Sequence, residues 1–360
     1  MPAGQYDFEP GQEMQHDTSP HKLKMGGQLR AVQIASAVLC YSRMLFFQFY
    51  PTFQRFDCKV FLTEALKYFN GSCGTVMIDN TSVVVLRGTG ADMIPVPEMA
   101  AFAERYGFEF RAHRIGDANR SGRVERPFTF IQKNFLAGRE FTDWQDLNQQ
   151  ARHWCDRVNR TYKKHIRAVP WELFIAERPY LKPLPVWVPD VYRLHHRIVD
   201  VEGYVAVQTN RYSVPTAWIG RQVEVRESKD RIEIQCGLRE STIRHERVID
   251  PIAKRVTLPE HRPVRGQGIK RTDPRPEEKT LEQVVPGIAD YVAAIKKSGR
   301  RYITIALRQL LRMAREYPRE AFLSAVSEAA HYGLYDLDRL ERMILRRIAK
   351  DYFQLDPQKE

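Results

Sequence analysis

Three acidic residues are spaced so that they could share one piece of chemistry. Asp17 sits in "GQEMQHDTSPH", at the expected end of a first strand. Asp79 closes the apolar run "TVMID", and Glu125 lies in "SGRVERP", early in a helix expected from Arg120 to Leu136. A strand-end aspartate is costly to bury unpaired. Two at one edge of one sheet would repel, and a helical glutamate aimed at that edge would add a third charge. Hard divalent cations resolve the conflict, because Mg²⁺ takes carboxylate and phosphate oxygens. Two such ions about 3.5–4 Å apart activate an attacking oxygen and stabilise a leaving one in phosphoryl transfer. Each acid also has a plainer reading. Asp17 before Thr18-Ser19-Pro20 is first an Asx turn when taken alone, Asp79-Asn80 is equally a turn after a strand, and Glu125 read as a solvated helix charge meets the commonest fate of Glu.

The surrounding pattern supplies elements that could hold these acids. "LRAVQIASAVLCYSRMLFFQFYP" is rich in β-branched and aromatic residues and breaks near Cys40-Tyr41, which predicts two adjacent strands. Val60, Leu62, Ala65, Leu66 and Phe69 recur at helical spacing before Asn70-Gly71. "VPEMAAFAERYG" predicts a helix, "FEFRAH" a strand, and the Arg120–Leu136 helix carries Pro127 near its first turn. "FTDWQDLNQQARHWCDRVNRTY" predicts a long amphipathic helix capped by Thr142 or Asp143. Strand, strand, strand, helix, strand, helix, strand, helix is an α/β order. We therefore expect a core over residues 1–167 and a Pro-rich linker over 168–190. Alternating short strands over 191–250 predict a small β-barrel. A charged, Pro-rich connector over 251–280 and a basic helical region over 281–360 follow.

The totals bound the function. The 360 residues carry 56 Lys+Arg against 44 Asp+Glu, a net charge of +12 with a pI near 9.5. Such a balance suits a polyanionic partner, nucleic acid first, although a solvated basic surface has the same composition. The five cysteines form no C-x-x-C pair, so neither a zinc site nor a disulfide framework is indicated, and a reducing cytoplasm is expected. The first twenty residues are acidic and polar, unlike a signal peptide, and the most apolar run is too polar for a membrane span. There is no P-loop.

Several longer pieces carry a resemblance: "GQEMQHDTSPH", "VMIDNTSVVV", "SGRVERPFTFIQKNFLAGREFTDWQDLNQQARHW", "VNRTYKKHIRAVPWELFIAERPYLKPLP" and "NRYSVPTAWIGRQVEVR". From about Gly11 to Asp250 the chain resembles the IstA-type transposases of bacterial insertion sequences, which act beside an AAA+ ATPase helper. The resemblance implies an α/β ribonuclease-H-like integrase catalytic core, followed by a small β-barrel and a C-terminal α-helical region. It implies that Asp17, Asp79 and Glu125 are a metal-binding catalytic triad holding Mg²⁺ (or Mn²⁺), two ions in all. The separations are 79 − 17 = 62 and 125 − 79 = 46 residues. The second gap is longer than in many integrases, and the expected helix Met93–Tyr106 and strand Phe108–Arg111 fill it. Asp117 is the best rival acid; Asp92 and Glu98 belong to the intervening helix and its cap. The implied activity is metal-dependent DNA end cleavage and strand transfer. A non-catalytic DNA-binding remnant and a nuclease of the same fold are the alternatives. The implied partners are transposon ends, target DNA, the helper and further copies on DNA. Such transposases begin with a helix-turn-helix region, which is expected to be lacking here because the sequence opens sixteen residues before Asp17.

Other residues suit DNA. Arg120, Arg123, Arg126, Lys133 and Arg139 surround Glu125 in sequence and suit phosphate contact, or a solvated basic face. In the barrel, Asn210, Arg211 and Tyr212 suit a backbone contact and a stacked base, or equally a turn leading into a core strand. His16 and His21 flank Asp17 and suit water or phosphate positioning, although a structural role is the stronger expectation; His113 is similar. The basic helices of the tail suit DNA or a protein partner.

Overall fold

The computed structural model describes residues 8–79, 81–112, 127–237, 242–250, 252–261, 275–298 and 302–352, with backbone only at Ala91 and over 349–352. The chain divides into two compact units, Met1–Val191 and Tyr192–Glu360.

The first unit is built on a five-stranded sheet. Its strands are β1 (Glu13–Met25), β2 (Gln28–Leu39), β3 (Leu45–Tyr50), β4 (Thr75–Ile78) and, after a short hairpin of β5 (Val85–Arg87) and β6 (Ile94–Pro95), β7 (Glu109–Ala112). The order across the sheet is β3-β2-β1-β4-β7. β1, β2 and β3 pair antiparallel, whereas β4 joins β1 and β7 joins β4 in parallel. Successive strands thus leave β1 on opposite sides, so the switch in direction falls between β1 and β4. β1 was expected to end at Asp17 but runs on to Met25. From Asp17 to Lys24 its only strand partner among the described residues is β2, before Met25 bridges Phe141, and a strand with one open side tolerates Pro20.

The two faces of this sheet are covered by different helices. Met14, His16, Val76 and Ile78 point to α1 (Arg55–Phe69) and α2 (Pro97–Tyr106), forming one core with Phe46, Phe61 and Phe102. α1 ends on Asn70 in the left-handed conformation, as Asn70-Gly71 predicts. The other face carries Phe47 and Phe49, packed on Phe135 and Trp154 at centroid distances of 5.4–5.8 Å. Phe135 lies in a π-helical turn, Gln132–Leu136, that continues helical backbone from Pro127. Trp154 belongs to α3 (Trp144–Asn159), whose N-cap is Asp143, accepting from the Gln145 and Asp146 amides. α3 also closes the sheet edge. Asn148 bonds both backbone groups of Phe49, at 2.7 and 3.1 Å, and Asn159 bonds both of Leu45, at 2.9 and 2.8 Å. The two residues are 159 − 148 = 11 apart, about three helical turns, so both amides face β3 and satisfy an edge strand that would otherwise be open.

Residues 168–190, expected as a linker, contain a helix that belongs to this unit. α4 (Pro170–Glu177) starts with proline at its first position, and Phe174 and Leu181 enter the α1 core. Glu177 is fully buried and accepts from the backbone amides of Gly11 and Ser42, each at 3.2 Å.

The second unit holds two sheets and five helices among its described residues. β8 (Tyr192–Ile198), β11 (Gln222–Ser228), β12 (Arg231–Gln235) and β13 (Thr242–Glu246) form a sheet in the order β13-β12-β11-β8. β9 (Tyr204–Val207), β10 (Asn210–Ser213) and β14 (Arg255–Val256) form the other, in the order β14-β10-β9. The helices are α5 (Pro276–Val284), α6 (Ala289–Lys297), α7 (Ile303–Glu316), α8 (Arg319–His331) and α9 (Leu337–Tyr352). One core runs through strands and helices, joining Val207, Val225 and Ile234 to Leu310, Phe322 and Leu340. The stretch expected as a connector, 251–280, therefore contributes β14 and the start of α5.

Candidate active site

The pairing of β1 with β4 decides where the acids stand. His16 pairs with Ile78 in parallel register, so the next residues, Asp17 and Asp79, follow at one level on neighbouring strands. Adjacent strands lie about 4.8 Å apart. Alternation turns both residues to the face of Gln15 and Met77, away from α1. Asp17 is half-buried and Asp79 exposed. Asp17 Oδ1 accepts from the Thr18 amide at 2.7 Å. Both stand where β4 ends, on either side of the point where strand order reverses, which is where open α/β sheets bind ligands.

The cross-strand register extends this face. Asp17 is paired with Ser36, and Ser36 with Phe47, so the three share one side of the sheet. His21, four residues on from Asp17 and on the same side, lies 6.3 Å from Phe128, ring to ring. The helical backbone that starts at Pro127 therefore runs over the Asp17 face. Glu125 lies outside the described residues, as do Arg120, Arg123, Arg126, His113 and Asp117. Lys133 is described and exposed, on the π-helical turn. Arg139 stacks over Phe135 and donates to Gln150. Of the remaining acids, Glu98 forms ion pairs with Arg55 and Lys59, and Asp92 sits in a short 3-10 turn. No cluster of three or more His, Cys, Asp or Glu suited to a metal occurs among the described residues. The residues that complete this face, Ser36 and Phe47, went unrecognised in the sequence. Their alternation in β2 and β3 was visible, but the register against β1 was not.

His16 belongs to the core. Nδ1 lies 2.9 Å from the Ser36 carbonyl, which accepts only, so Nδ1 carries the proton and donates. Nε2 is left to accept from the Cys58 thiol at 3.8 Å, and the ring stacks on Phe61. Burial, the largest effect, holds its pKa down to about 4 against the Ser36 bond, which raises it. Burial likewise pushes Cys58 up to about 12, which keeps it a proton donor. His21 is also lowered by burial, and its Nε2 is enclosed without a hydrogen-bond partner among the described residues.

Asn210, Arg211 and Tyr212 of the second unit do not match the DNA reading. Tyr212 is 1% exposed, inside the core, and its hydroxyl accepts from the Val248 amide at 3.0 Å. It has no face to offer a base, so the reading as a turn leading into a core strand is the one that holds. Arg211 is held by Asp200 and by Glu202, the latter at 2.7 Å, and lies over Tyr204. Asn210 donates to the Val248 and Asp250 carbonyls. The basic tail is similarly occupied. Arg308 pairs with Glu277, Arg312 with Glu316 and Glu341, and Arg347 with Glu328, while Arg315 donates to the Ala217 and Ile219 carbonyls.

Comparison with known proteins gives this arrangement a context. A family model described as the C-terminal domain of Mu transposase matches residues 184–257. The transposase of insertion sequence IS21 from Pseudomonas aeruginosa is 28% identical over 273 residues, covering 75% of this chain and 70% of that one. That of IS232 from Bacillus thuringiensis subsp. berliner is 27% identical, covering 61% and 52%. An IS21-like transposase from Bacteroides fragilis is 25% identical, covering 89% and 62%. The chain is a relative of the IS21-type transposases. It spans 52–70% of the length of these three. The Mu-type match covers β8 to β14 of the second unit, and the IS21-type relationship extends beyond it. Among solved structures, a simian T-cell lymphotropic virus intasome in complex with a PP2A regulatory subunit is 13% identical, covering 66% of this chain and 76% of that one at a TM-score of 0.36. The HTLV-2 integrase catalytic core in complex with magnesium is 14% identical, covering 46% and 97% at 0.34. No helix among the described residues is long and apolar enough to cross a membrane.

Proposed function

We propose that the first unit is a ribonuclease-H-like DDE core and that the chain cleaves transposon ends and joins them to target DNA. The sheet order β3-β2-β1-β4-β7, antiparallel then parallel, supports the fold. The carrying observation is the register that sets Asp17 beside Asp79 at the strand-order switch. Two carboxylates about one strand spacing apart are a hard-oxygen donor set, the chemistry that Mg²⁺ or Mn²⁺ requires. Asp17 and Asp79 would hold the cations, with Glu125 as the third ligand, two residues ahead of the described helix at Pro127. When bound, the two metals would supply charge neutralisation and an activated attacking oxygen.

The chain's own residues do the rest by positioning. The Thr18 amide fixes one oxygen of Asp17. Phe128, Ile131 and Phe135 are buried and anchor over the acid face the helix that follows Glu125 in sequence. Exposed Lys133 on that helix, with Arg120, Arg123 and Arg126 before it, would meet phosphates approaching the acids. The full reading keeps an AAA+ helper, multiple copies on DNA and a nucleoid-associated location as its partners and setting. Arg211 is a weaker DNA contact on this reading, since its charge is already matched. Strand transfer from pre-cut ends in Mg²⁺ tests the proposal. Wild type should yield joined products and Asp17→Asn should not; joining that persists in Asp17→Asn sinks the assignment. Nicking without joining by wild type would mark a nuclease instead.

A further inference from the structure

The segment after α3, Arg160 to Ala168, carries Arg160, Lys163, Lys164 and Arg167 and no acid. It is a formed loop. The Lys163 amide donates to the Ala168 carbonyl at 2.9 Å, the Ile166 amide donates to the Lys163 carbonyl at 3.2 Å, and Arg167 adopts φ +52°. This turn presents Lys164, His165 and Arg167 outward, all exposed. Two aromatics interleave with the cations: Tyr162, 58% exposed, and Trp171, over whose ring Arg160 lies at 5.0 Å.

The charges of this loop are not spent internally. Arg160, Lys163, Lys164 and Arg167 make no ion pair among the described residues, whereas Arg308, Arg312 and Arg347 of the second unit each have a carboxylate. Lys163 is the sharpest case. Its side chain is partly enclosed beside Cys155 and Arg43. Desolvation first, and Arg43 to a lesser degree, pull its pKa down to about 8. Cys155 supplies no compensating anion, because burial pushes the thiol up to about 12. Lys163 itself has no ion-pair partner among the described residues, and an incoming anion would favour its charged form.

The position is separate from the acid pair. Arg43 belongs to the β2–β3 turn, where the Cys40 amide bonds the Glu13 carbonyl. Glu13 precedes Asp17 by four residues of β1, or about 13 Å. We propose that the Lys163–Ala168 turn, with Arg160, is a second DNA-backbone site at the opposite end of the sheet, which grips phosphates away from the reacting bond. Cations interleaved with exposed aromatics fit a phosphodiester strand.

This rests on the reading that the chain binds DNA, and one experiment separates the two. The full chain, wild type and the surface variant Lys164→Gln/Arg167→Gln, is titrated against a short duplex by fluorescence anisotropy across a salt series. Loss of two phosphate contacts should weaken binding about tenfold and reduce the slope of log K against log salt by about 1.8. Lys163→Met should add to that loss while thermal unfolding reports whether it folds. Unchanged affinity and slope in the surface variant overturn the second site, even if the loop proves to bind an acidic protein. A wild-type chain that does not bind the duplex overturns the transposase reading with it.

Discussion

The two ends of one sheet treat acidic residues in opposite ways. At the start of β1, Glu13 is 6% exposed, 3.3 Å from the Gln15 side-chain nitrogen and 3.5 Å from the Cys40 thiol, and Glu177 is fully buried against two backbone amides. Four residues along β1, half-buried Asp17 stands beside exposed Asp79. Burial raises the pKa of Glu177, against the lowering by Ser42 and Gly11, so this acid is part of the protein's own hydrogen-bonding. The aspartates instead share a level at the switch in strand order. Residue type does not separate a structural carboxylate from a chemical one; the donors that surround it do.

That contrast can be broken by exchange of roles. Asp17→Asn and Asp79→Asn should each lower strand transfer by about a thousandfold or more, because charge stabilisation is the main catalytic contribution. Neither should lower the thermal midpoint in metal-free buffer, since each relieves repulsion between neighbours. Glu177→Ala should do the reverse. It orphans the Gly11 and Ser42 amides and leaves a cavity, costing about 3 kcal/mol in denaturant unfolding. A Glu177→Ala protein as stable as wild type would erase the distinction between the two ends.

A comparable effect comes from His16, next to Asp17 but on the other face. Its folded pKa of about 4 lies below the unfolded 6.5, so the unfolded chain binds its proton first as pH falls. The stability it contributes is complete above pH 6.5 and is lost between there and pH 4, by about 3 kcal/mol. Unfolding curves of His16→Leu should show a shallower pH slope in that window. An unchanged slope would place the titration elsewhere.

The smallest effect concerns the second unit. Tyr212→Phe removes the bond from the Val248 amide and should cost about 1 kcal/mol while leaving DNA affinity unaltered. A loss of affinity at equal stability would return Tyr212 to the DNA surface.

Much of the first unit was legible because its signals are local. Helical spacing in α1, the Asp143 cap of α3 and the Gly107 stop of α2 each lie within a few residues. α4 was legible too, through Pro170 followed by Glu172 in the first turn, but Pro183 and Pro185 made the whole stretch read as a linker. The extension of β1 past Asp17 was not legible, because "TSPHKLK" alternates weakly and contains a proline. Its strand character comes from β2, with a single bridge from Met25 to Phe141 at its end. The acid pair could be nominated from the apolar-then-acidic endings. That Asp17 and Asp79 share one level depends on the His16–Ile78 register, a contact 78 − 16 = 62 residues apart that no local pattern encodes. In the second unit, the exposed-looking "NRY" hid two fates. Strand alternation buries Tyr212, and Asp200 and Glu202, distant from it in the turn before β9, neutralise Arg211.

The central claim is that Asp17 and Asp79 hold a cation jointly. A double-mutant cycle of Mn²⁺ affinity, measured calorimetrically on wild type, Asp17→Asn, Asp79→Asn and the double variant, tests it directly. Each single change should weaken binding at least about tenfold, and the double change should add little to either, because the partners act as one site. Mn²⁺ affinity that survives Asp79→Asn, or losses that simply add, would contradict a shared site.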